Sequence, residues 1–161
     1  AERFEAVYAA VNRLRLRGLV IPFVWISATR TEAARHPQDR VLVPNDAWGI
    51  PYNELRAIMR DCGLNTALDG WSNTLDCTAL GVASLAWEGG IDDTPAEVAT
   101  DLGLLLKADS PPEQVAEVVE RLLLDGDLRS AYVRRLQERF ADHVDAVTLG
   151  YFAAIAHKVI S

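Results

Sequence analysis

The sequence predicts an α/β fold: a Rossmann-like open parallel sheet with helices on both faces and a C-terminal helical tail. Three observations lead there. Helical and strand-like periodicities alternate from residue 3 to residue 124. The run Leu19 to Ser27 is almost continuously apolar, as suits a strand covered on both faces. Thr94-Pro-Ala-Glu97 and Ser110-Pro-Pro-Glu113 both match the capping box, a hydroxyl at the cap with Glu three residues on, and so mark two helix starts.

Taken in order, Phe4, Val7, Tyr8, Val11 and Leu14 recur at helical spacing and Gly18 supplies a stop, which predicts a helix over residues 3–17. The strand from Leu19 to Ser27 follows, with Pro22 at its start or on an edge. Residues 28–39 read as a loop or short helix, Arg40 to Val43 as a second strand, and Pro44 to Gly49 as a turn-rich loop. Pro51 suits the first position of a helix that runs through Leu55, Ile58 and Met59 and stops near Gly63. A third strand over 64–68, a helix from about Asn73 to Leu80, and a fourth strand from Val82 to Trp87 come next. Beyond the Thr94 helix lies a short strand, Gly103 to Leu106; Val115, Val118, Val119 and Leu122 then continue the helix opened at Ser110. Asp127 opens another helix to about His143, and Asp145 to Val159 forms the last.

The chain of 161 residues is half apolar, enough for one core, so residues 1–161 read as a single domain, with an α/β part over 1–124 and helices over 125–161. A net charge of −7 gives no basic face for a nucleic-acid backbone or an anionic membrane surface. The apolar stretch Leu19 to Ile26 is eight residues long, against about 20 for a membrane span, so none is expected. No charged leader precedes an apolar run, and Cys62 and Cys77 lack metal-ligand spacing; two reduced thiols in a cytoplasmic domain are expected. His36, His143 and His157 are scattered without a ligand pattern, and no metal site is predicted. Met59 is the one methionine and Ala1 already lies in the helical pattern, which suggests a processed or partly represented larger protein.

The segment with chemistry runs from Leu68 to Asp93: Leu-Asp-Gly-Trp-Ser-Asn-Thr-Leu-Asp76, then Gly81-Val-Ala83, Trp87-Glu88 and Asp92-Asp93. A turn through Gly70 and Trp71 into a helix presents backbone N–H groups and small hydroxyls to an anion. In spacing, without a gap across 26 positions, it resembles the donor-binding box of plant-type UDP-glycosyltransferases of the GT-B fold. That box reads His-Cys-Gly-Trp-Asn-Ser-Thr-Leu-Glu, Gly-Val-Pro, Trp-Pro and Asp-Gln. Upstream, Pro22 to Arg30 looks like the strand that precedes the box, and Pro51 to Leu55 like its Pro-Gln-x-x-x-Leu segment with a slip of one residue. Asp109 to Arg129 resembles the helix pair that follows, so the likeness covers residues 3–140.

The resemblance implies a donor site for a nucleoside diphosphate sugar, UDP-linked in the nearest members. Gly70 and Trp71 form its turn, Ser72, Asn73 and Thr74 match the positions that hold the diphosphate, and Asp76 matches the Glu on the ribose hydroxyls. Asp92 and Asp93 match the pair that reads the transferred sugar, and Trp48 lies one place from the tryptophan that stacks on the base. The implied activity is hexosyl transfer, incomplete on this chain alone, with the acceptor and the general base supplied by another domain or chain; the catalytic residues stay unassigned. The first strand of such a domain, expected before residue 3, is missing from the sequence. Leu68 stands where the family has its phosphate-contacting His, Asp76 shortens the Glu, and Ala83 and Asp93 replace Pro and Gln.

Other readings stay open on the residues themselves. Ser72 or Asn73 serves equally as an ordinary helix cap. Trp71 and Trp87 suit a core or a domain face. Glu88, Asp92 and Asp93 could read hydroxyls, bind a divalent cation or lie in solvent. The functional alternative is a non-catalytic interaction or scaffold domain on a degenerate GT-B frame. A third is an unrelated Rossmann-like or flavodoxin-like module, although no Gly-x-Gly-x-x-Gly fingerprint is present.

Overall fold

A computed structural model describes residues 2–26, 34–42, 51–66, 71–89 and 94–141. Helix α1 (Glu2–Leu16) buries Val7, Tyr8, Ala10, Val11 and Leu14, the face its periodicity marks. It closes at Gly18, where Leu19 N donates to Leu14 O and Gly18 N to Arg15 O. That closure puts residue 18 at φ +92°, a conformation glycine adopts without steric cost. Strand β1 (Phe23–Ile26) starts directly after Pro22 and pairs in parallel with β2 (Asp39–Leu42).

Helix α2 (Tyr52–Asp61) takes Pro51 as its cap and not as its first helical residue, one position from the expectation. Strand β3 (Leu64–Asn65) leads towards α3 (Trp71–Ala79), which begins two residues earlier than the periodicity suggested. Helix α3 ends in the same way as α1: Val82 N donates to Cys77 O and Gly81 N to Thr78 O, with Gly81 at φ +78°.

The expected fourth strand is divided between two neighbours. Its first half, β4 (Ala83–Ser84), pairs in parallel with β3, and its second half, β5 (Ala86–Trp87), pairs in parallel with β6 (Leu105–Leu106). Leu85 N still reaches Asn65 O at 2.8 Å, while Glu88 N reaches Leu106 O at 2.7 Å, so the segment leaves one partner as it meets the next. Helix α4 (Thr94–Asp101) connects β5 to β6.

Helix α5 (Pro112–Leu124) corrects the second capping box. Pro111 is the cap and makes no side-chain bond, and the Ser110 hydroxyl accepts instead from Lys107 N at 2.9 Å, bracing the turn before the helix. A sixth helix, α6, is described from residue 126 to residue 141. Its cap is Asp125, whose Oδ1 accepts from Leu128 N at 2.9 Å, so the start lies ahead of the expected Asp127. The proposed helix over Asp145 to Val159, with His143 and His157, lies outside the described residues.

Helix and strand are mixed among the described residues and alternate from β2 to α5 once β4 and β5 are counted as one segment, whereas β1 and β2 follow one another with no described helix between them; the strand pairs among the described residues are parallel. The pairs form three two-stranded sheets, and none closes into a barrel. The main core joins α1, β1, the segment 83–87, α4, β6, α5 and α6, with Leu14, Leu85, Leu104, Leu106, Val115 and Leu136 wholly buried. A second, smaller cluster holds Met59, Cys77 and Val82 under α2 and α3. Tyr132 of α6 is wholly buried and donates its hydroxyl to Ser84 O at 3.0 Å, tying the helical tail to the middle of the strand segment. Burial pushes the Tyr132 hydroxyl far up from its ordinary value, so it stays a donor.

Candidate functional site at the start of helix α3

Parallel strands joined by helices leave their carboxyl ends on one edge, where such folds bind ligands. Helix α3 follows the carboxyl end of β3 in the chain, with residues 67–70 between them outside the described residues. Thr66 O, just past β3, accepts from Trp87 Nε1 at 3.1 Å, which clamps the ends of β3 and β5 together. Trp87 is buried and acts as core, in line with one reading of its sequence.

The start of α1 reaches the same edge. Arg3 donates from Nη2 to Glu88 O at 3.3 Å, and its guanidinium lies 5.3 Å from the Trp87 ring centre. Arg3 is a cation that sequence reasoning did not select; only its position in the first turn of a helix hinted at it, and that turn ordinarily favours acids.

Within α3, the backbone from Trp71 onward is helical, which includes Ser72 and Asn73. Thr74 is buried and Asp76 is half-buried. Cys77 is buried beneath them, and burial, with the nearby Cys62 and Asp76, pushes its thiol up to about 11, so it is no nucleophile at neutral pH. Gly70, Asp92, Asp93 and Trp48 lie outside the described residues, as do the side chains of Trp71, Ser72 and Asn73. Of the expected donor residues, the structure therefore places Trp71, Ser72, Asn73, Thr74 and Asp76 on one helix, while Gly70, Trp48, Asp92 and Asp93 lie outside the described residues.

Two hollows are open elsewhere. One, of about 650 Å³, lies between the end of α5 and the start of α6, with Glu117, Glu120, Asp125 and Asp127 among its walls. The other, of about 590 Å³, runs between β1 and β3 and is mainly apolar. Neither is lined by Thr74 or Asp76.

The best-defined polar cluster belongs to the opposite edge. Asp39, at the amino end of β2, accepts from Tyr8 Oη at 2.7 Å, Arg15 Nη2 at 2.8 Å and Arg35 N at 3.2 Å. Burial raises the Asp39 carboxyl, but the hydrogen bonds from Tyr8 and Arg15 and the Arg15 charge together outweigh it and hold the group below its ordinary value. Arg15 also donates to Ile21 O at 2.6 Å and to Asn12 Oδ1 at 3.0 Å. The cluster fixes the end of α1 against the starts of β1 and β2, a structural role.

Among the described residues no group of three His, Cys, Asp or Glu side chains could hold a metal ion. No helix among them is long and apolar enough to cross a membrane. Comparison with known protein families, curated proteins and solved structures finds no match to this chain.

Proposed function

We propose that this chain is the donor-binding half of a glycosyltransferase, built on one open, Rossmann-like parallel sheet. It takes a nucleoside diphosphate sugar, UDP-linked, in a reducing cytoplasmic setting. The observation that carries the reading is the unbroken spacing of the box from Leu68 to Asp93. Its support in the fold is local: the box begins three residues past β3 and contains the whole of α3 and the strand segment 83–87, and with β3 before it this is the strand–helix–strand order that diphosphate sites use.

In this reading the N–H groups at the start of α3 and the hydroxyls of Ser72 and Thr74, with Asn73, hold the diphosphate around the Gly70–Trp71 turn. Asp76 accepts from the ribose, Trp48 stacks on the base, and Asp92 and Asp93 receive the sugar. The positive end of α3 and the Arg3 guanidinium at the same edge favour the anion despite the acidic chain. The acceptor and the general base come from another domain or partner chain.

Two observations favour the scaffold alternative: Thr74 is only 5% exposed, so its hydroxyl is withheld from solvent, and Leu68 stands where the resembled family has its phosphate donor. Calorimetric titration with UDP, GDP and ADP separates the two. Binding of UDP at sub-millimolar concentration, weakened by Asp76→Ala, is the expected result; flat traces with all three at millimolar ligand overturn donor binding.

A further inference from the structure

The 590 Å³ groove has the walls of a strand position that no described residue fills. On one side lie Phe23 and Val24 of β1, and on the other Leu64 and the chain at Thr66 beyond β3. Among the described residues β1 is joined by a ladder to β2 and β3 to β4, and none joins β1 to β3. Val7 and Val119, from the packed pair α1 and α5, line the groove together with Met59 and Cys77, from α2 and α3. The two hydrophobic clusters of the protein therefore meet this gap from separate helix layers.

Most of the uncovered apolar side chains among the described residues border the groove, Leu16 at the end of α1 being the exception. Val20 is 78% exposed, Leu124 64% and Val24 36%, and all three line it. Patches of this kind on an acidic, otherwise well-packed chain call for a partner. An extended segment fits best, because two parallel pairs present edges to a common slot and strand addition satisfies main-chain groups on both sides.

The direction of α1 identifies the source of that segment. Its first turn contacts Glu88 at the carboxyl edge through Arg3, and its last turn contacts Ile21 and Asp39 at the amino edge through Arg15. Helix α1 thus runs opposite to the strands. A parallel strand in the slot would finish beside the start of α1 and could continue into it through a short loop, then return to β1 by the usual right-handed crossover.

We propose that the groove between β1 and β3 is the seat of a further parallel β-strand of apolar, β-branched composition, supplied by polypeptide leading into α1. It rests on the reading of the strand pairs as parts of one sheet, not on nucleotide binding. The added strand would join the two cores and complete the edge at which α3 begins.

The test joins to Ala1 a Val/Ile-rich strand of about six residues through a loop of about four. A control carries the same extension with proline at two central positions, which abolishes ladder pairing. Cys62 and Cys77 both line the groove, so the alkylation rate of Cys62 reports its occupancy. The strand extension, and not the proline control, is expected to slow alkylation of Cys62 and amide exchange at Val24 and Leu64 by about tenfold, as 1.4 kcal/mol of added protection gives. Val24→Asp in the extended protein should cancel the gain. Equal rates with both extensions overturn the proposal. So does a dimer of the unextended chain by sedimentation that Val24→Asp dissolves, since the occupant is then a second copy. Neither readout involves a nucleotide, so this inference and the donor reading can fail separately.

Discussion

Replacing Asp39 by alanine removes one side of a fully buried ion pair and leaves the other in place. The carboxylate has no exposed surface and the Arg15 side chain is only 4% exposed. After the substitution, Arg15 keeps Ile21 O and Asn12 Oδ1 but loses its counter-charge, and Tyr8 and the Arg35 amide lose an acceptor. Breaking a buried pair from one side costs about 3–5 kcal/mol. Against a total of about 5–15 kcal/mol for a domain, that lowers the melting temperature by about 10 °C or more. Urea unfolding at pH 7 measures it. The double variant Arg15→Met with Asp39→Leu should be more stable than Asp39→Ala by about 2 kcal/mol, because no charge is then stranded. The pH dependence has a definite sign. The folded carboxyl titrates below its ordinary 3.8, so its contribution is fully present above that value and is lost as pH falls through the folded value. Asp39→Asn should flatten that acid limb. A loss under about 1 kcal/mol for Asp39→Ala, or an acid limb unchanged by Asp39→Asn, would refute the account of this cluster.

Thr78 is 1% exposed and its hydroxyl has no hydrogen-bond partner among the described residues, so Thr78→Val should raise stability by about 1 kcal/mol in the same urea assay. Tyr132→Phe leaves the Ser84 carbonyl without its donor and should cost about 1–3 kcal/mol. Gly81→Ala meets no atom within 4 Å but must adopt φ +78°, so its cost, about 1 kcal/mol, comes from the backbone alone. Cys62, half-buried, should alkylate well ahead of Cys77, whose thiol is buried and raised to about 11; equal rates measured by mass spectrometry at pH 8 would contradict that ordering.

Much of the architecture was legible because its signals are local. The apolar face of α1, the glycine stop at Gly18 and the start of β1 after Pro22 each depend on residues within a turn or two of one another. Where the reading slipped, a longer-range demand intervened. Ser110 has the chemistry of a cap, yet its hydroxyl is used by Lys107 in the preceding turn. Val82 to Trp87 looks like one strand, but its two halves serve different neighbours, β3 and β6, and no sequence pattern records which edge a strand offers. The Asp39–Arg15–Tyr8 cluster escaped notice for the same reason: its members are far apart in sequence, and nothing in their spacing marks them as partners.

By itself, then, the sequence determined which of the described segments become helices and strands, where several of them stop, and that a helix lies over residues 73–79, because torsional preference and periodic burial act over a few residues. Only the tertiary structure decided that Arg3 sits at the carboxyl edge beside Trp87, that Thr74 turns into the interior, and that β1 and β3 stand apart across an apolar groove. Those outcomes depend on which surfaces meet when elements pack, a competition among distant side chains for the same buried space.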